Sequence, residues 1–134
     1  MQVAIRNLRA EFRSFNNLDP WEVIVDRRSP LGNPFIMRGE SQRDEVCNQY
    51  DAYFRKKVES NDPAFLKELC RIQEIAVQYN QITLFCWCAP KRCHAQTIAN
   101  WLLATVSAQE PTQTMQTVSA NIVRKLRTGN VSGE

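Results

Sequence analysis

At 134 residues the chain is long enough for one domain with a single core, and its apolar fraction of 43% is ordinary for a soluble globular protein. Seventeen Lys and Arg against fourteen Asp and Glu leave a net charge of +3, too small an excess to indicate nucleic acid as a partner. No apolar run approaches the ~20 residues that span a bilayer, and the start MQVAIRNLRAEF has no signal-type apolar stretch, so a cytoplasmic protein with no membrane partner is expected. Five cysteines, an odd number in a chain able to build its own core, point to reduced thiols rather than a disulfide framework.

Val3 and Ile5 alternate with Gln2 and Ala4 and predict a short strand at 2–7. Charged and aromatic residues then mix without a period until Asp19-Pro20. Trp21 to Val25 predicts a second strand at 21–26, which runs into a stretch from Asp26 to Phe35 where Pro30, Gly32, Asn33 and Pro34 exclude regular structure. Ser41 reads as an N-cap with Asp44 as its capping-box partner, and Val46, Tyr50, Tyr53 or Phe54, and Val58 form the stripe of a helix at 42–59. Asp62-Pro63 opens another helix, at 63–79, whose stripe is Leu66, Leu69, Ile72 or Gln73, Ala76 and Tyr79.

Ile82 to Cys88 is apolar on both faces, as a central strand of a covered sheet is. Pro90 ends it, and Ile98, Trp101, Leu102 and Val106 predict a helix at 94–107. A polar stretch at 109–114 then reads as a linker to an amphipathic helix at 114–127, with Met115, Val118, Ile122 and Leu126 on one stripe. That helix is expected to fold back on its own domain, or else to meet a second copy or a host protein through Arg124, Lys125 and Arg127. The pattern predicts one three-layered, Rossmann-like α/β domain over 1–108 with a small, mostly parallel sheet, followed by the linker and C-terminal helix of 109–134.

Three cysteines and the only histidine fall between Cys86 and His94. A turn from a buried strand into a helix presents unpaired N–H groups at the positive end of the helix dipole, and Lys91 and Arg92 flank them, so an anion site is expected. The same field makes Cys93 a candidate reactive thiolate, with Cys86 or Cys88 if they face the turn. His94 is either its general base or a neutral histidine satisfied by the loop. Cys86, Cys88, Cys93 and His94 are also the candidate ligands of a zinc ion, although adjacent Cys93 and His94 fit one ion poorly, and the strand cysteines read equally well as core. Cys86-x5-Arg92 has the spacing of a thiol phosphatase, but the loop lacks glycine and Pro90 removes an N–H from any phosphate cradle. The stiff loop led by Arg27 and Arg28, with Gly32 and Asn33 at its bend, reads as a binding edge.

The two boxes, RRSPLGNPF at 27–35 and CWCAPKRCH at 86–94, with Arg43 and the Tyr50 to Phe54 aromatics between them, resemble a family widespread in phages and bacteria, domain of unknown function 4326. The resemblance marks Arg27, Gly32, Asn33, Pro34, Phe35, Arg43, Cys86, Cys88, Pro90, Cys93 and His94. Many members carry glycine where this chain has Asp26, and Ala95 stands where a broader set of C…CHR domains has arginine. Two functional readings follow. In the first, a nucleotide or other phosphorylated ligand is bound, or bound and processed by Cys93 and His94, between Arg27, Arg28, Gly32, Asn33, Phe35, Arg43, Lys91 and Arg92. In the second, a non-enzymatic protein binds and modulates a host protein, and the cysteine box is structural or holds zinc.

Overall fold

The computed structural model describes residues 1–107, so the expected helix at 114–127 and its docking lie outside the described residues. Strands β1 (Gln2–Asn7), β2 (Glu22–Ile24) and β3 (Gln81–Cys86) form one parallel sheet in the order β1-β3-β2. The strand expected at the centre is there, because its side chains serve two cores: Ile82, Leu84 and Cys86 enter the main one and Phe85 a second on the opposite face. It stops at Cys86, two residues short of the expected end, since the N–H groups of Cys88 and Ala89 turn toward the Cys86 sulfur rather than a neighbouring strand.

Helices α1 (Arg43–Glu59), α2 (Pro63–Tyr79) and α3 (Ala95–Ser107) contribute to the main core, where Tyr50, Phe54, Phe65, Leu69, Ile72, Ile98 and Leu102 are buried with Ile82 and Leu84. Helix α2 begins as its sequence signals, with the Asp62 carboxylate accepting the Phe65 N–H at 3.0 Å and Pro63 in the first turn. It ends at Asn80 in the left-handed region, φ 54°. Helix α1 does not begin as expected. Ser41 makes no capping bond; a 3-10 turn over Glu40–Gln42 leads in, closed by a two-pronged bridge from Arg43 to Glu40 at 2.7 and 2.9 Å.

Among the described residues, the layer on the sheet's other face is irregular chain instead of helix. Leu8 and Leu18 pack on Ile24 and Phe85, while the buried Glu22 carboxylate meets Arg13 at 3.5 Å and the Asp19 N–H at 2.7 Å. The β1-to-β2 connection therefore crosses β3 on one face and the two-helix connection returns over the other, which gives both the same hand. Because β2 and β3 are parallel neighbours, the loops that follow them leave from one carboxyl edge, the edge where open sheets bind ligands.

Candidate functional site

The loop after β2 is curled by its own side chains. Arg27 donates to the carbonyls of Asn33 (3.1 Å) and Phe35 (3.4 Å), and the Asn33 side-chain oxygen accepts the Phe35 N–H at 2.9 Å. Leu31 is fully buried, with its carbonyl accepting the Tyr50 hydroxyl at 2.6 Å. Gly32 is a packing requirement: a Cβ there would stand 2.4 Å from the Asp26 carbonyl oxygen and 2.5 Å from the Arg27 Cα. Asp26 accepts the Arg28 guanidinium at 2.6 Å, the Arg28 N–H at 2.9 Å and the Trp87 indole N–H at 3.1 Å. Burial pushes its carboxyl up, but these bonds outweigh burial and hold it below the usual carboxylate range. The charge that Asp26 brings to the site is thus taken up by Arg28.

The turn after β3 is fastened from both sides. Asn7, the last residue of β1, donates to the carbonyls of Trp87 (3.1 Å) and Ala89 (3.0 Å), and the Lys91 N–H reaches the Cys88 carbonyl at 2.9 Å. Arg43 of α1 donates to the Arg92 carbonyl at 2.8 Å. The Ala89–Pro90 peptide is cis. His94 is buried, its ring 5.1 Å from that of Tyr50, and Nε2 meets the Val25 carbonyl. A carbonyl only accepts, so Nε2 carries the proton and is committed to Val25, the residue that follows β2. Burial lowers the His94 pKa despite that bond, so the ring is neutral. Of the two expectations for this residue, the geometry has the histidine satisfied by the loop, with Nε2 unable to serve as a base.

Between the two loops and α1 lies a cavity of about 520 Å³, a size typical of small-molecule sites. Of the candidate binding and reactive residues, Arg27, Arg28, Asn33, Phe35, Arg43, Arg92, Cys93 and His94 all line it. Gly32 and Lys91 do not: Gly32 supports the loop, and Lys91 reaches out to Glu40 at 3.3 Å. The lining also includes Cys88, Cys47, Trp87, Met37 and Val46. Cys47 was findable from sequence, because it stands one helical turn after Arg43 on the same face of α1. Trp87 gave no such signal, since an alternating strand pattern does not say where the strand ends.

Three of the four arginines have carboxylate partners: Arg28 with Asp26, Arg43 with Glu40, and Arg92 with Asp44 at 2.9 Å. Arg27 bonds to backbone carbonyls, and among the described residues no carboxylate pairs with it. The thiols form a cluster. Cys86 and Cys93 sulfurs are 3.1 Å apart and buried, while Cys88 is half-buried at the cavity wall. The neighbouring Cys93 thiol and the Arg43 guanidinium bring the Cys88 thiol down to about 5. Cys86 is lowered to about 7, chiefly by Cys93, and Cys93 itself is pushed up by Cys86 and Cys88, so it is the member that keeps its proton.

With His94 turned to Val25, the expected zinc set of Cys86, Cys88, Cys93 and His94 is not assembled, and among the described residues no three His, Cys, Asp or Glu side chains are placed to hold a metal ion. Among the same residues no helix is long and apolar enough to cross a membrane. No curated protein and no solved structure matches the chain. A family model does match, over residues 11–104, which takes in β2, β3, all of α1 and α2 and both loops of the cavity, and the chain belongs to that family, Domain of unknown function (DUF4326).

Proposed function

We propose that the cavity binds a phosphorylated small molecule of about nucleotide size. Arg27 and Arg92 take the anionic group, Asn33 adds a polar contact, and the uncharged part lies against Phe35, Met37, Val46 and Trp87. The observation that carries this reading is a cavity at the carboxyl edge of a parallel sheet with four arginines in its wall, one of them without a carboxylate partner among the described residues. Guanidinium groups suit phosphate because their planar fork matches two of its oxygens.

The test is a thermal-shift titration with nucleoside mono-, di- and triphosphates, nucleotide sugars, phosphate and pyrophosphate. A ligand at a hundred times its Kd stabilises the native state by roughly 2.7 kcal/mol, enough to move the melting temperature of a small domain by several degrees. Arg27→Gln should abolish the shift. The proposal fails if none of the panel stabilises the wild-type chain, or if Arg27→Gln binds equally well.

A second reading, a non-enzymatic protein that docks on a host protein, is favoured by Phe12 and Ile36, which are 86% and 67% exposed. It predicts that no small anion stabilises the chain, so the same titration separates the two.

A further inference from the structure

The cavity holds a second kind of chemistry, carried by its thiols, and this inference rests on the anion-site reading. Cys86 is 1% exposed and Cys93 5%, which leaves Cys88 as the thiol of the cluster open to a ligand in the cavity. Its surroundings are fixed. Asn7 holds the carbonyls of Trp87 and Ala89 on either side of it, and the Arg43 guanidinium beside it is braced by Glu40 (2.7 and 2.9 Å) and by the Arg92 carbonyl (2.8 Å). A cation that cannot swing away, next to a partly accessible thiol in the wall of a cavity, is the arrangement that favours a thiolate. Of the candidate thiolates read from the sequence, Cys93 keeps its proton as the neighbour of two other sulfurs, and Cys88 is the one that faces the cavity.

We infer that Cys88 is the nucleophile of this cavity, attacking a soft electrophilic carbon on an anionic substrate drawn in by the arginines. In that step a lone pair on the Cys88 sulfur forms a C–S bond and the leaving group departs with the electron pair of the bond it loses. The Cys93 thiol and the Arg43 guanidinium beside Cys88 favour its ionised form, so the step as proposed starts from the thiolate and draws on no base in the cavity.

Alkylation of the full chain tests this with two probes, neutral iodoacetamide and anionic iodoacetate, each displacing iodide, with the modified cysteine located by peptide mass spectrometry. The groups facing Cys88 are Arg43 and Cys47 of α1, Glu40 before it, Cys86 of β3 and Cys93 before α3. Glu40, held down to about 2 by Arg43, stays ionised over the whole range used. Iodoacetamide should label Cys88 first, with a pH midpoint near 5 where an ordinary thiol has 9.0. Arg43→Gln should move that midpoint toward the ordinary value, and Cys88→Ser should remove the fast phase. Iodoacetate should be favoured over iodoacetamide by at least about tenfold relative to glutathione, because a positive cleft concentrates anions.

Labelling of Cys47 or Cys70 before Cys88, or a Cys88 midpoint at the ordinary value, would overturn the inference, and both are read on the wild-type chain even if Arg43→Gln fails to fold. A low midpoint without preference for iodoacetate supports the thiolate and overturns the anionic class of substrate. The anion-site reading itself stands or falls on the phosphate titration, which needs no thiol.

Discussion

Gly32 and His94 sit in the loops of the cavity yet act on the fold, and each can be separated from ligand binding. A methyl group at Gly32 would collide with the Asp26 carbonyl and the Arg27 Cα, both backbone atoms that cannot step aside without unwinding the loop. Gly32→Ala should therefore destabilise by about 2–3 kcal/mol in urea denaturation, the upper part of the range for overpacked sites. For His94, burial keeps the folded-state pKa below the ordinary 6.5, so the unfolded chain takes up a proton first as the pH falls. Stability is full above about 6.5 and declines below it, until the folded-state pKa is passed. His94→Gln, which can still donate to the Val25 carbonyl, should flatten that decline in melts between about pH 8 and about pH 5. The residue types of this site were legible in the sequence as two boxes, but their pairings were not. Cys93 and His94 are adjacent, yet the turn into α3 sends one sulfur to Cys86 and the next ring to Val25, a divergence no spacing rule reveals.

Helix starts and strand ends show what local signals can and cannot carry. The start of α2 was readable because Asp62 and Pro63 act on their own first turn. The start of α1 was not, because Ser41 loses its capping role to a bridge between Glu40 and Arg43, and Arg43 is held in turn by a residue 49 positions away. Asn7 is the same kind of long-range fastening, joining the end of β1 to the turn after β3. Asn7→Ala removes both of these bonds and the one its side-chain oxygen accepts from the Ala10 N–H at 2.9 Å, and should cost about 1–3 kcal/mol and loosen the Cys88 turn, which a drop in the melting temperature would register. Tyr50→Phe isolates a single buried bond, to Leu31, and should cost about 1–2 kcal/mol by the same measurement with the aromatic packing kept.

The molecule as a whole was legible in its class and less so in its layers. Two helices between consecutive strands imply a parallel crossover, and an apolar strand near 82–88 implies the centre of a sheet; both are as observed. The cover of the second face was hidden because residues 8–20 have no hydrophobic period, and their hold on the sheet comes from isolated contacts at Leu8, Leu18 and Arg13. Among the described residues the main core reaches no further than Leu102, so a chain ending after Ser107 should unfold cooperatively, with a midpoint close to that of the full chain. Loss of cooperativity on that truncation would show that 108–134 complete the core.

Both edge strands pair with β3, and they do not pair with each other. During synthesis, then, every ladder bond of the sheet has to wait until residues 81–86 clear the ribosome, long after β1 and β2 have emerged. Helices α1 and α2 can form in the interval, because their bonds are local. The apolar sides of Val3, Ile5, Val23 and Ile24 cannot, and they stay open to wrong partners until the strand arrives. The segment that carries the cysteine box is thus also the one whose appearance ends the vulnerable stage of the nascent chain.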